Sequence, residues 1–114
     1  MRKLYVILVL TLLSCGGSKE FDEVPTPIGG DDEIRSVFHK ALGKEYFDLS
    51  GVSVRFSIRI NKNGAIEEVG LSKRTKKEFV NRTIVYALKE QIRFTPAIDD
   101  GQKVKANFEY EFIF

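Results

Sequence analysis

Two stretches of this chain alternate apolar and polar residues with a period of two, and they restrict its fold more than any other feature. Val52, Val54, Phe56, Ile58 and Ile60 alternate with Ser53, Arg55, Ser57 and Arg59. Near the end, Val104, Ala106, Phe108, Tyr110 and Phe112 alternate with Lys105, Asn107, Glu109 and Glu111. Successive side chains of a strand point to opposite faces, so each stretch builds a strand with one covered face and one wet face. That is the signature of an antiparallel sheet covered on one side only.

The intervening residues supply the connections. Asn61-Lys62-Asn63-Gly64 follows the first strand, and Asn-Gly is the strongest short-range hairpin signal. Ala65–Ser72 resumes as a second strand, in which Ile66 is out of step with Val69 and Leu71; a bulge near Glu67-Glu68 reconciles them. Two helices bracket the hairpin. In the first, Ile34, Val37, Phe38, Ala41 and Leu42 fall on one face, with Asp31 as N-cap, acid in the first turn and Gly43 as the stop. The second follows Thr75-Lys76-Lys77-Glu78, a capping-box pattern, and is carried by Phe79, Val80, Thr83, Ile84, Ala87, Leu88 and Ile92 before Pro96. Asp99-Asp100-Gly101 is a turn into the last strand. The fold class is therefore α+β, in the order α-β-β-α-β. Hairpin and crossover together leave one fully antiparallel arrangement, strand order 2-1-3. The last strand then lies at an edge, its even-numbered residues under the second helix, with Glu109 and Glu111 beside Arg55 and Arg59.

The amino-terminal residues read as an address. Met1-Arg2-Lys3 is basic and Leu4–Leu13 is apolar apart from Thr11. As a helix this stretch would span only about 15 Å of a ~30 Å hydrocarbon core, which fits a secretory signal and not a membrane span. Leu12-Leu13-Ser14-Cys15-Gly16-Gly17 resembles the bacterial lipobox, which implies cleavage before Cys15 and lipidation of its sulfur and new amino terminus. Arg2 and Lys3 account for the whole formal net charge of +2, so the chain from Cys15 onward is neutral overall and would meet a membrane through lipid, not charge. Residues 15–30, rich in Gly and Pro, read as a flexible linker reaching at most roughly 50 Å, and 31–114 as the folded domain.

Little of the remaining chemistry converges. The chain holds one Cys and one His, too few for a zinc module or an internal disulfide. His39 lies beside Phe38 on the flank of the first helix with no second His or Cys in the domain, so it reads as a packed or surface residue. Glu67-Glu68 and Asp99-Asp100 read as edge and turn charges. Lys73-Arg74-Thr75-Lys76-Lys77 reads as a solvated turn, with contact to phosphate or lipid headgroups as the other reading and nucleic acid excluded for an exported chain. The expectation is a protein that is no enzyme, with no cofactor and no metal.

With the elements placed, residues 51–114 resemble the C-terminal domain of TonB proteins. The resemblance rests on Gly51-Val52-Ser53-Val54-Arg55-Phe56, on Asn63-Gly64-Ala65-Ile66 with Val69, on Phe94-Thr95-Pro96-Ala97, on Gly101-Gln102-Lys103-Val104, and on Phe112. It implies docking to the amino-terminal segment of an outer-membrane transporter, which pairs with the edge strand. Carried over, the partner-binding residues are Lys103, Val104, Lys105, Ala106, Asn107, Phe108, Glu109 and Tyr110, within a surface running on to Phe112. An unpaired edge strand points to the same place, and to homodimerisation by the same edge. The expected location is the outer membrane, lipid-anchored and facing the periplasm. Without an inner-membrane helix, coupling to a proton gradient would need another polypeptide. The contrasting expectation is a lipid-anchored structural or regulatory envelope module that uses this edge for another envelope protein.

Overall fold

The computed structural model describes residues 21–114. Among these residues two helices, α1 (Gly30–Leu42) and α2 (Glu78–Gln91), accompany five strands: β1 (Ser53–Ile60), β2 (Ile66–Lys73), β3 (Ala97–Asp99), β4 (Gln102–Val104) and β5 (Ala106–Ile113). A 3₁₀ segment, Gly43–Leu49, continues α1. The main sheet is three-stranded and antiparallel, in the order β2-β1-β5. The α+β architecture and the sheet order follow the alternation.

The period-two residues do what their spacing requires. Val54, Phe56, Ile58 and Ile60 of β1 are buried, while Ser57 and Arg59 are exposed on the opposite face. The β1–β2 register slips at Glu67, where Arg59 pairs with Glu68 and Ile60 with Ile66. This bulge turns Ile66 and Val69 to one face, as their misaligned spacing requires. A second slip lies at Ser72, between the pairs Phe56–Leu71 and Arg55–Lys73.

Gly64 in the connecting turn has φ +89°, and a Cβ built on it would stand 2.0 Å from the carbonyl oxygen of Phe94. The Phe94 amide donates to the Gly64 carbonyl at 3.1 Å. The turn and the chain after α2 are thus in main-chain contact, and only glycine fits there.

Four expectations need correction. Gly29, with φ +90°, stands at the N-cap of α1 in place of Asp31, which lies with Asp32 and Glu33 inside the first turn. Ala41 and Phe79 are exposed and lie off the apolar faces of their helices. The second helix begins at Glu78, and no capping box closes it. Instead Asn81, 3% exposed within α2, accepts from the Thr75 amide and hydroxyl, both at 2.8 Å, and donates to the Thr75 carbonyl at 3.2 Å. One amide from inside the helix thereby holds the loop that precedes it.

The fourth correction concerns the linker. Residues 22–28 run antiparallel along residues 93–100 and meet them at two bridges, Glu23–Ile98 and Pro27–Phe94. Glu23 and Ile98 exchange both main-chain hydrogen bonds, at 3.1 and 3.0 Å, Thr95 N donates to the Thr26 carbonyl at 2.8 Å, and Ile28 N donates to the Arg93 carbonyl at 2.8 Å. The Asp22 carboxylate accepts from the Asp100 amide at 2.8 Å, and Pro25 is buried. Prolines suit such an arm because it donates and accepts along one side only.

The core explains what lies under each strand. Phe38 of α1 packs edge-on to Phe112 at 5.2 Å between ring centroids and meets Phe56 at 6.0 Å. Phe94, fully buried, packs edge-on to Phe108 and Tyr110 at 5.2 and 5.7 Å between ring centroids. The second helix lies against α1 and β2. The covered face of β5 meets α1 through Phe112 and the Phe94 segment through Phe108 and Tyr110.

Candidate functional site

The structure divides the strand expected from Val104 to Phe112. Lys103 and Val104 belong to β4, where they pair with Ile98 and Ala97 of the β3–β4 hairpin. Lys105 lies exposed between β4 and β5. These three residues are therefore outside the edge strand, because the Asp100-Gly101 turn folds its flanks into a hairpin of their own. Ala106, Asn107, Phe108, Glu109 and Tyr110 are in β5, which continues through Glu111 and Phe112 to Ile113.

β5 pairs with β1 along its whole length, from Ile60–Ala106 to Ser53–Ile113. In an antiparallel ladder the facing pairs alternate between hydrogen-bonded and non-hydrogen-bonded. Phe114 N donates to the Val52 carbonyl at 2.9 Å, which places that pair, in the same register, in the hydrogen-bonded set. The alternation then directs the main-chain groups of Ala106, Phe108, Tyr110 and Phe112 toward β1, and those of Asn107, Glu109, Glu111 and Ile113 away from it. The sheet ends at β5. Among the described residues, the docked arm lies along β3, one hairpin away, and leaves this outer border unpaired.

One residue of the border has a partner on α1. Arg35, from α1, donates from Nη1 to the Ile113 carbonyl at 3.1 Å, and its guanidinium lies 4.9 Å from the centre of the Phe112 ring. It closes the carboxyl end of the border, so the open row runs from Asn107 to Glu111. No local pattern marks a contact across so many residues.

The wet face beside this row is acidic along β5. Arg55 stands opposite Glu111 in register and reaches Glu109 at 3.9 Å. The Ser53 hydroxyl donates to the Glu111 carboxylate at 2.7 Å. That bond, with Arg55 and Lys73 nearby, holds the Glu111 carboxyl below the usual carboxylate range. Arg59 turns the other way, to Glu68 at 3.2 Å and Glu67 at 3.7 Å on β2, and not to β5 as expected. Between them, where Gly70 carries no side chain, the face has an open hollow of about 310 Å³ lined in part by Ser57, Arg59, Glu68 and Asn107.

The remaining groups singled out by sequence are dispersed. His39 is exposed, with its ring edge-on to Tyr46 at 4.9 Å and Phe47 at 5.1 Å. In the basic cluster, Arg74 approaches Glu78 at 3.6 Å and Lys77 donates to Glu45 at 3.0 Å. Among the described residues no three His, Cys, Asp or Glu side chains are grouped to hold a metal, and no helix is long and apolar enough to cross a membrane. Cys15 lies outside the described residues. Compared with family models, with curated proteins and with solved structures, the chain matches none of them.

Proposed function

We propose that this protein is a non-enzymatic binding module of the cell envelope, which takes an extended segment of a partner onto the outer border of β5. The partner is the amino-terminal segment of an outer-membrane transporter, and the module serves transport across that membrane. The observation that carries the reading is the row of outward main-chain groups at Asn107, Glu109 and Glu111, on an eight-residue edge strand whose other side is fully engaged. Such a row is a template for strand addition, in which main-chain hydrogen bonds give affinity and alternate side chains give specificity. The class of partner comes from the resemblance of residues 51–114 to TonB C-terminal domains, and the β2-β1-β5 order of the main sheet is in keeping with it.

In this reading lipid on Cys15 holds the module at the outer membrane, facing the periplasm. The docking of residues 22–28 shortens the tether: from Cys15 to Asp22 the chain spans at most about 25 Å, half the reach of the whole linker. The module therefore works close to its own membrane, where the amino-terminal segments of transporters emerge.

The test uses proline. At Glu109 the amide points away from β1, so proline there removes a donor from the border while sparing the β1–β5 ladder. The full-length chain should bind peptides from transporter amino termini, and Glu109→Pro should lose that binding with its thermal midpoint nearly intact. Binding that survives Glu109→Pro would remove the edge from the account. Binding only to peptides of other envelope proteins would keep the edge and remove transport.

A further inference from the structure

We infer that the segment received by β5 belongs to a partner protein and carries two basic residues spaced two apart with an apolar residue between them. This rests on the edge-pairing reading and adds the chemistry of the guest. An incoming strand sets one residue opposite each of Glu109, Tyr110 and Glu111, whichever way it runs. Directly opposed residues have Cβ atoms roughly 4.5–5.5 Å apart, within reach of a side-chain pair. The outer two of the three lie on the wet face beside the carboxylates, and the middle one lies on the core side beside Tyr110.

The cations that serve this border stand behind it, on β1 and β2, and β5 itself carries none. Arg55 serves both carboxylates, with Lys73 of β2 adding to it at Glu111, and its contact with Glu109 is long, at 3.9 Å. Glu111 is bonded to Ser53, a neutral donor that fixes the carboxylate without cancelling its charge. Arg35, a third cation near this edge, is committed to the Ile113 carbonyl and the Phe112 ring. On the core side Tyr110 is half-buried against Phe94, so its ring offers apolar surface at the border. Two cations and an apolar side chain between them match these three positions.

The same carboxylates argue against a second copy of this chain as the guest. Two β5 strands paired antiparallel about Tyr110 would set Glu109 opposite Glu111 twice, and like charges directly across a ladder are destabilising. Edge charges that disfavour self-pairing while favouring one partner serve specificity by repulsion as well as attraction.

The experiment measures binding of the full-length chain to three labelled peptides of equal length, by fluorescence anisotropy. Each alternates with Val, and the two central wet-face positions are both Lys, both Thr or both Glu. The Lys peptide should bind roughly 2- to 30-fold tighter than the Thr peptide, the gain from two facing ion pairs, and the Glu peptide weakest. The double variant Glu109→Lys/Glu111→Lys should invert the order. Raising salt from about 0.05 to about 0.5 M should draw the Lys-to-Thr ratio toward one; this needs no variant to fold. Equal binding of all three peptides, or a salt-independent ratio, would overturn the charge rule and leave edge pairing standing. No binding to any of them would overturn edge pairing itself.

Discussion

Replacing Gly64 by Ala probes the contact on which the rear of the edge strand is built. Gly64 has φ +89°, and the added Cβ would come within 2.0 Å of the Phe94 oxygen and 3.1 Å of its carbonyl carbon. Both are main-chain atoms, which cannot swing aside as the end of a side chain would. Left-handed backbone costs an alanine about 1–2 kcal/mol. Moving the Phe94 segment away also loses the 3.1 Å bond from its amide to the Gly64 carbonyl, a further loss of about 0.5–1.5 kcal/mol. Some loosening of Phe94 under Phe108 and Tyr110 follows. The total is about 2–4 kcal/mol, a large part of the roughly 5–15 kcal/mol that holds a typical domain together. Gly101 is the control, because its φ is +79° and nothing lies within 4 Å of the Cβ it would gain. Urea unfolding of both variants separates the terms: Gly101→Ala should show the conformational cost alone, and Gly64→Ala clearly more. Equal losses would refute the close-contact argument.

Two further outcomes follow from the loop before α2. Asn81→Ala leaves the Thr75 amide without its acceptor and should cost about 1–3 kcal/mol in denaturant unfolding, although alanine favours the helix; a loss below about 0.5 kcal/mol would mean that the loop holds itself. The hydrogen bond to Glu45, and then its charge, raise the Lys77 pKa. A raised pKa stabilises the fold below the unfolded-state value and ceases to do so as pH climbs through the folded one, so the Lys77–Glu45 contribution should fade at strongly alkaline pH. Thermal midpoints of wild type and Glu45→Gln should accordingly converge there, and a gap that stays constant would contradict the assignment.

How much of this was legible in the sequence depends on how far each signal reaches. The alternation of Val52–Ile60, the Asn63-Gly64 turn and the misstep at Ile66 are read within a few residues, and strands, hairpin and bulge follow from them. The short β3–β4 hairpin was not legible, since three residues on either side of Asp100-Gly101 are too few to show a period and merge with the next alternation. The arm was misread because its Gly and Pro content describes a linker, while its order comes from main-chain bonds to residues some seventy positions away. Asn81 could not be foreseen as the holder of the loop, since its amide reaches back from inside a helix where a capping box would have used Thr75 and Glu78. At the site, the edge position of β5 and its acidic wet face were readable; the exclusion of Lys103 and Val104 and the closure by Arg35 arise only from tertiary placement.

Amide hydrogen exchange along β5 in the free chain tests the central claim most directly. The account requires alternation, with the amides of Asn107, Glu109 and Glu111 exchanging freely, those of Phe108, Tyr110 and Phe112 protected by β1, and the first set becoming protected when a partner peptide is added. Uniform protection from residue 107 to 111 in the free chain would mean that the border is already occupied, and the proposed docking strand would not exist.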